Sequence, residues 1–342
     1  MLKLKGLATG IGSLPHKDAD EALDLIFKYC PQIPFWPQLP KRDKYEGMVA
    51  QFSQNFPCLR VTGDGVYFDG KHQEEELEKF YEEVIANNVA YFKIGPDFSA
   101  GLYRFIERLQ KIDLRAVEFL KGQVTGPFTF AASIKNEKGV ALLHDPVFMQ
   151  VVIKGLVMKA RWQIQALEKF GKKIIMFLDE PYLSAFGSAY TPINRDYVVR
   201  GLAEISEGIK SDNVLVGVHC CGNTDWSVFT DTESIDIINF DAFDFQDKFT
   251  LYADNLKDFL KRGGVICWGI VPTQGYSGEE TAQLLAAKVK EGIKKLAQKG
   301  VDVALLSENL LISPACGLGT LEAVKAGQIL RLLSETSALL RG

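Results

Sequence analysis

The chain has 342 residues, 47% of them hydrophobic and 24% charged, with a formal net charge of −4. That composition builds a large core and excludes a disordered chain. No Lys/Arg-rich run rises above a solvated helix face, which argues against nucleic acid, and no apolar stretch reaches the about 20 residues of a membrane helix.

The basic start, MLKLKGLATGIGSLP, has a short apolar run broken by glycine. It reads as a first strand and not as a signal peptide, so the chain reads as cytoplasmic. Candidate strands then follow in order: LATGIGS, IPFWPQ, AVEFLKGQVTG, KIIMFLDEP, VLVGVHCCG, IDIINFD, GGVICWGIV and DVALLSENLLISP. Between them lie amphipathic stretches such as ALLHDPVFMQVVIKGLVMKARWQIQALEKFG and ETAQLLAAKVKEGIKKLAQKG, whose apolar positions recur at three and four residues. Apolar strands alternating with helices imply a parallel sheet covered by helices. The strand count fits a (β/α)8 TIM barrel, α/β in class, as one domain over residues 1–342. No GxGxxG follows the first strand and no P-loop occurs, which weakens a nucleotide-binding reading. The acidic segment from about residue 41 to 112, with GDGVYFDG inside it, reads as an insertion or lid between the second and third strands.

In such a barrel the chemistry sits at the carboxyl ends of the strands. The special residues fall there: Ser13, Gly126 and Pro127, Asp179 and Glu180, His219 and Cys221, Asp241, and Cys316. Packing alone does not call for polar groups at so many strand ends. Six cysteines make no disulfide scaffold. Cys30, Cys58 and Cys267 read as small buried hydrophobes. His219 and Cys221 lie two apart, so both leave the same face of an extended strand, whereas Cys220 points away. With Cys316 and Asp241 they offer the thiolate, imidazole and carboxylate groups that zinc takes four at a time. Asp241 either ligates after a small backbone shift or leaves zinc with three protein ligands and an open position. A thiol's pKa is about 8.5, and zinc holds it as the nucleophilic thiolate at neutral pH. The cysteine content favours thiol alkylation over hydrolysis.

The order His-x-Cys, a carboxylate, then Cys-Gly-Leu resembles the zinc site of cobalamin-independent methionine synthase, and the likeness to that family's C-terminal catalytic barrel extends over most of the chain. GIGSLPHKD resembles its opening strand-loop, and VTGPFTF is similar to another of its strand-end segments. The resemblance implies that Ile11, Gly12 and Ser13 seat the amino-acid part of homocysteine. FLDEP matches the family's Asp-Glu-Pro, which implies that Asp179 binds the substrate ammonium group; for Glu180 a first-turn acid of a helix is the rival. Asp64, in TGDG, stands where the family has a Gly-Glu that grips the same ammonium.

Two departures matter. The full-length enzymes carry a second, N-terminal barrel for a folate donor, and a histidine after the seventh strand. Here that segment is VICWGIVPTQG, and no histidine occurs after His219. Releasing methyl from a folate needs a general acid, so the expected donor is methylcobalamin or a corrinoid protein. The expected reaction is homocysteine S-methylation. A zinc methyltransferase for another thiol, such as coenzyme M, and a non-catalytic barrel with structural zinc are the alternatives. Uroporphyrinogen decarboxylase has a related barrel, but the arginines it needs are missing around residues 10–30.

Overall fold

The computed structural model describes residues 4–62, 65–187 and 193–342. Its main sheet contains β1 (Leu7–Ala8), β4 (Phe119–Thr125), β5 (Lys173–Asp179), β6 (Val214–Cys220), β7 (Ile237–Asp241), β8 (Val265–Val271) and β9 (Leu310–Pro314). A separate antiparallel hairpin holds β2 (Leu59–Thr62) and β3 (Gly65–Phe68). The seven strands run parallel in the order β1-β9-β8-β7-β6-β5-β4, and helices connect most of them.

The segment IPFWPQ forms no regular strand, although the sequence pattern suggests one. Pro34 and Pro37 carry no N–H to give to a ladder, so pairing is confined to single positions. Phe35 bridges in parallel to Lys121 on β4, and Gln38 to Ser13 after β1. Gln38 N donates to the Gly12 carbonyl at 3.0 Å, and Leu14 N to the Gln38 carbonyl at 2.9 Å. The segment thus touches both edges of the sheet. The expected last strand is also shorter than its sequence. Asp302 accepts from the amides of Ala304 and Leu305 and caps a helix over Val303–Glu308, leaving β9 to begin at Leu310.

Alternation along the strands sorts the side chains into two apolar clusters. One contains Leu7, Ile33, Phe119, Ile175, Phe177, Ile237, Val265, Cys267 and Leu311, all at odd positions. The other holds even-numbered strand residues such as Leu120, Ile174, Val216, Phe240 and Ile312, together with the helices. The odd positions therefore face the interior of the curled sheet and the even ones the helix layer. The long helix Pro146–Glu168 starts with Asp145 accepting from Val147 N and Phe148 N, with proline at its first position. The helix Ala282–Gln298 is capped by Thr281.

Between Gln38 and β4 the chain makes an excursion. It holds the hairpin, the helix Gln73–Ile85 and the helix Ala100–Leu109, of which the last packs on the helix Ala19–Tyr29. Glu46 ties this excursion down: its buried carboxylate accepts from Leu39 N, Ala100 N and Arg42 Nε.

The two strand-end motifs TGP and DEP meet. Glu180 is fully buried, and its carboxylate accepts from Phe128 N and Thr129 N at 2.9 Å and from Thr129 Oγ1 at 2.7 Å. It caps the start of the helix Pro127–Ser133 that follows β4, which is a structural use of this acid. A Cβ on Gly126 would lie 2.3 Å from the Glu180 carboxyl carbon, so glycine is required there. Glu180→Ala should cost about 3 kcal/mol, because buried amides lose their acceptor. Urea unfolding checks this, with an unchanged midpoint as the contrary result.

Candidate metal centre

At the carboxyl ends of β6 and β9 the Nδ1 or Nε2 of His219 and the sulfurs of Cys221 and Cys316 lie within 4.8 Å of one another. Tetrahedral zinc with ordinary bond lengths places such atoms about 3.5–3.8 Å apart, so small side-chain rotations bring all three onto one ion. His219 stands at the end of β6 in register with Asn239 on β7. Its Nδ1 lies 2.5 Å from Asn239 Oδ1, an oxygen that only accepts, so Nδ1 carries the hydrogen and Nε2 is left as the donor atom. The Asn239 amide is itself fixed, donating to the Cys267 carbonyl at 2.9 Å and to Ser313 Oγ at 2.8 Å. This is the outer support a ligating imidazole needs.

The two thiols share a hydrogen bond. The bond from Cys316, and then His219, hold the Cys221 thiol below its ordinary value, while the same bond drives Cys316 up. Burial works against charge on His219, but its bond to Cys221 and the negative groups around it outweigh this and raise its pKa. The set offers a cation two sulfurs and one oriented imidazole nitrogen. Cys220 belongs to the outer cluster, away from the group.

Asp241 lies apart from this triad. Its Oδ1 accepts from Phe243 N at 2.9 Å and Asp244 N at 3.0 Å, which turns the chain after β7. Burial, with the like charge of Asp244 and Cys221, pushes it up to about 6. A cavity of about 190 Å³ beside Asp241 is also lined by Cys221 and Cys316.

The larger cavity, about 350 Å³, opens on the other side of the sulfurs. Ile11, Ser13, Asp179, His219, Cys221 and Cys316 line it, so residues scattered over the sequence converge there. Gly12 is part of the same loop, tightly enclosed, because a Cβ would lie 2.7 Å from Gln38 Oε1. Asp179 is buried, and its Oδ1 has no hydrogen-bond partner among the described residues. Burial raises its pKa to about 6, against the pull of His219 and Lys121. A buried carboxylate oxygen without a donor, facing a cavity, is a place for a ligand's N–H. Asp64 lies outside the described residues.

The sequence reading missed Asn239, Ser313 and Lys121. The signal was available: each is a polar residue at an odd position inside an apolar strand.

A family model for the cobalamin-independent synthase catalytic domain matches residues 99–338. The chain belongs to this family. The matched span includes Asp179, His219, Cys221, Asp241 and Cys316, and leaves Ile11, Gly12 and Ser13 outside. A methionine synthase of Methanocaldococcus jannaschii is 27% identical over 234 residues, which are 65% of this chain and 65% of that protein. The match therefore spans less than two thirds of that relative. The structure of a B12-independent methionine synthase from Shewanella sp. W3-18-1, in complex with selenomethionine, aligns with a TM-score of 0.46 at 18% identity. It covers 69% of this chain and 66% of that one, and is too distant to add to the family assignment. No helix of the described residues is long and apolar enough to cross a membrane.

Asn239→Ala should leave the fold intact and weaken zinc binding about 10- to 100-fold, the usual cost of losing such support. In the parent protein zinc affinity should rise with pH from roughly 6 to 8, because the Cys316 thiol holds a proton that the metal must displace. Competition with a chromophoric chelator measures both. Equal affinity in the variant, or affinity independent of pH, would contradict the ligand set.

Proposed function

We propose that this chain methylates the thiol of homocysteine at a zinc ion held by His219, Cys221 and Cys316. The observation that carries the reading is the convergence of three zinc-type donor atoms and the unpartnered Asp179 oxygen on one cavity. Asp241, across the sulfurs, is the fourth ligand or the neighbour of an open position. Bound zinc would supply the Lewis acid that keeps the substrate thiol as thiolate.

The chain's own residues do the rest. Asp179 Oδ1 accepts from the substrate ammonium, and the Ile11–Ser13 backbone receives its carboxylate. Asp64 is a further acid for the ammonium. The buried floor excludes water, which strengthens these contacts. The thiolate sulfur attacks the donor methyl carbon; the S–CH3 bond forms, the donor–methyl bond breaks, and its electron pair leaves with the donor.

The family name gives a corrinoid donor no support, and the cobalamin-independent description favours a folate. The segment after β8 nevertheless presents Thr273 and Gln274 to the cavity, neither of which can serve as an acid at neutral pH. A methyl group whose leaving partner needs no proton, such as that of methylcobalamin or a corrinoid protein, suits this wall. Coenzyme M is disfavoured, because the described residues lining the cavity include no lysine or arginine for a sulfonate. A purely structural zinc is disfavoured by the open cavity on the metal side.

We read the bridges of residues 33–38 as an eighth strand position closing a (β/α)8 barrel, one domain across 1–342, with the excursion from residue 41 as its lid. Thiol chemistry with six free cysteines suits the reducing cytoplasm.

The test is methionine formation by zinc-loaded protein with homocysteine, comparing methylcobalamin with methyl-tetrahydrofolate. Methionine from either donor, abolished in Cys316→Ala, is the expected result; none from both contradicts the reading. Asp179→Asn should raise the KM for homocysteine at least tenfold at unchanged zinc content, about the loss of one charge-assisted hydrogen bond.

A further inference from the structure

Lys121 sits on β4, facing the interior, and is fully buried. Its Nζ donates to the Ile11 carbonyl at 2.5 Å and to Gln123 Oε1 at 3.4 Å. It also stands 4.3 Å from the centroid of the Phe177 ring and 5.9 Å from that of Phe35. Among the described residues its hydrogen-bond acceptors are these two oxygens and no carboxylate. Burial lowers its pKa to about 8. An apolar side chain of the same length would sit among these rings at less cost, so packing does not account for a lysine here.

What the amine does is hold one peptide. Lys121 does not line the cavity, whereas Ile11 does. The amine draws the Ile11 carbonyl inward, away from the cavity. In a trans peptide the C=O of one residue and the N–H of the next point in opposite directions. With the Ile11 carbonyl directed at Lys121, the Gly12 N–H is directed towards the mouth. The loop is fixed just beyond that peptide. Gln38 N donates to the Gly12 carbonyl at 3.0 Å, Leu318 N to the Ser13 carbonyl at 3.0 Å, and Gly319 N to Ser13 Oγ at 3.2 Å.

We propose that Lys121 is a positioning residue that sets the Ile11–Gly12 peptide so that its N–H meets the carboxylate of an amino-acid thiol. This rests on the reading that the substrate is such a thiol. Lys121 touches neither the substrate nor the metal ligands; it acts through the backbone.

The experiment uses the full zinc-loaded chain and its Lys121→Met and Lys121→Gln variants. Calorimetry measures the Kd of homocysteine and of 1-propanethiol, the same thiol without its amino-acid end. Hydrogen exchange of the segment 9–15 is followed in the absence of thiol. Lys121→Met should bind homocysteine about tenfold more weakly and propanethiol equally well, with faster exchange at Leu14, whose N–H is bonded to the Gln38 carbonyl, and no loss of thermal stability. Lys121→Gln, which keeps an N–H one atom nearer the backbone, should fall between, and serves in its place if the methionine variant does not fold. Equal losses for both thiols, or unchanged exchange, would overturn the role. If the parent chain shows no preference for homocysteine over propanethiol, the substrate reading fails separately. The exchange result then decides alone whether Lys121 holds the loop.

Discussion

The site depends on the two-residue alternation of side chains along parallel strands that share one register. Because β4 to β9 keep the same phase up to the irregularity after Gly269, their odd positions point into one interior. At the amino ends of the strands that interior is filled by Phe119, Ile175, Ile237 and Val265. One step higher it changes character, with Lys121, Asn239, Cys267 and Ser313 on the same faces. At the carboxyl ends it becomes Asp179, His219 and Asp241. A slip of one residue in any strand would exchange these for the apolar set beneath the helices.

The middle step links fold to chemistry. Buried polar groups cost free energy unless they are satisfied, and here they satisfy one another in a directed way. Ser313 and the Cys267 carbonyl fix the Asn239 amide, which fixes the tautomer of His219. Gln123 Nε2 donates to the Trp36 carbonyl and Thr125 Oγ1 to the Met48 carbonyl, so the inner face of β4 holds the irregular segments that lack strand partners. The few polar atoms left without a partner include Asp179 Oδ1 in the cavity, where a substrate can supply one. Rigidity below and an unpaired acceptor above are what binding with little reorganisation requires.

Much of this was legible in the sequence, for physical reasons. Apolar runs such as VLVGVHCCG and GGVICWGIV are too short for helices and too continuous for exposed strands, so β6 and β8 follow from pattern. The pairing of His219 with Cys221 follows from alternation, and their approach to Cys316 from the common carboxyl end. The segment around Phe35 misled because two prolines break its ladder while leaving its apolar pattern unchanged. DVALLS misled because a short apolar run scores as strand until Asp302 is recognised as a helix cap. For Asp241 the sequence left two readings open, ligand or neighbour of an open position; in the fold its Oδ1 is drawn into the turn at Phe243 and Asp244. Glu180 appeared able to serve either the site or a helix start; only the fold shows that the helix it caps follows a different strand.

The central claim is that the three-ligand centre accepts a substrate sulfur on its cavity side. Zinc-edge X-ray absorption of the loaded protein, with and without homocysteine, tests this most directly. The account predicts that homocysteine adds one sulfur at about 2.3 Å, in place of an oxygen or nitrogen neighbour. An unchanged spectrum at saturating homocysteine would contradict it and leave zinc, if bound, with a structural role.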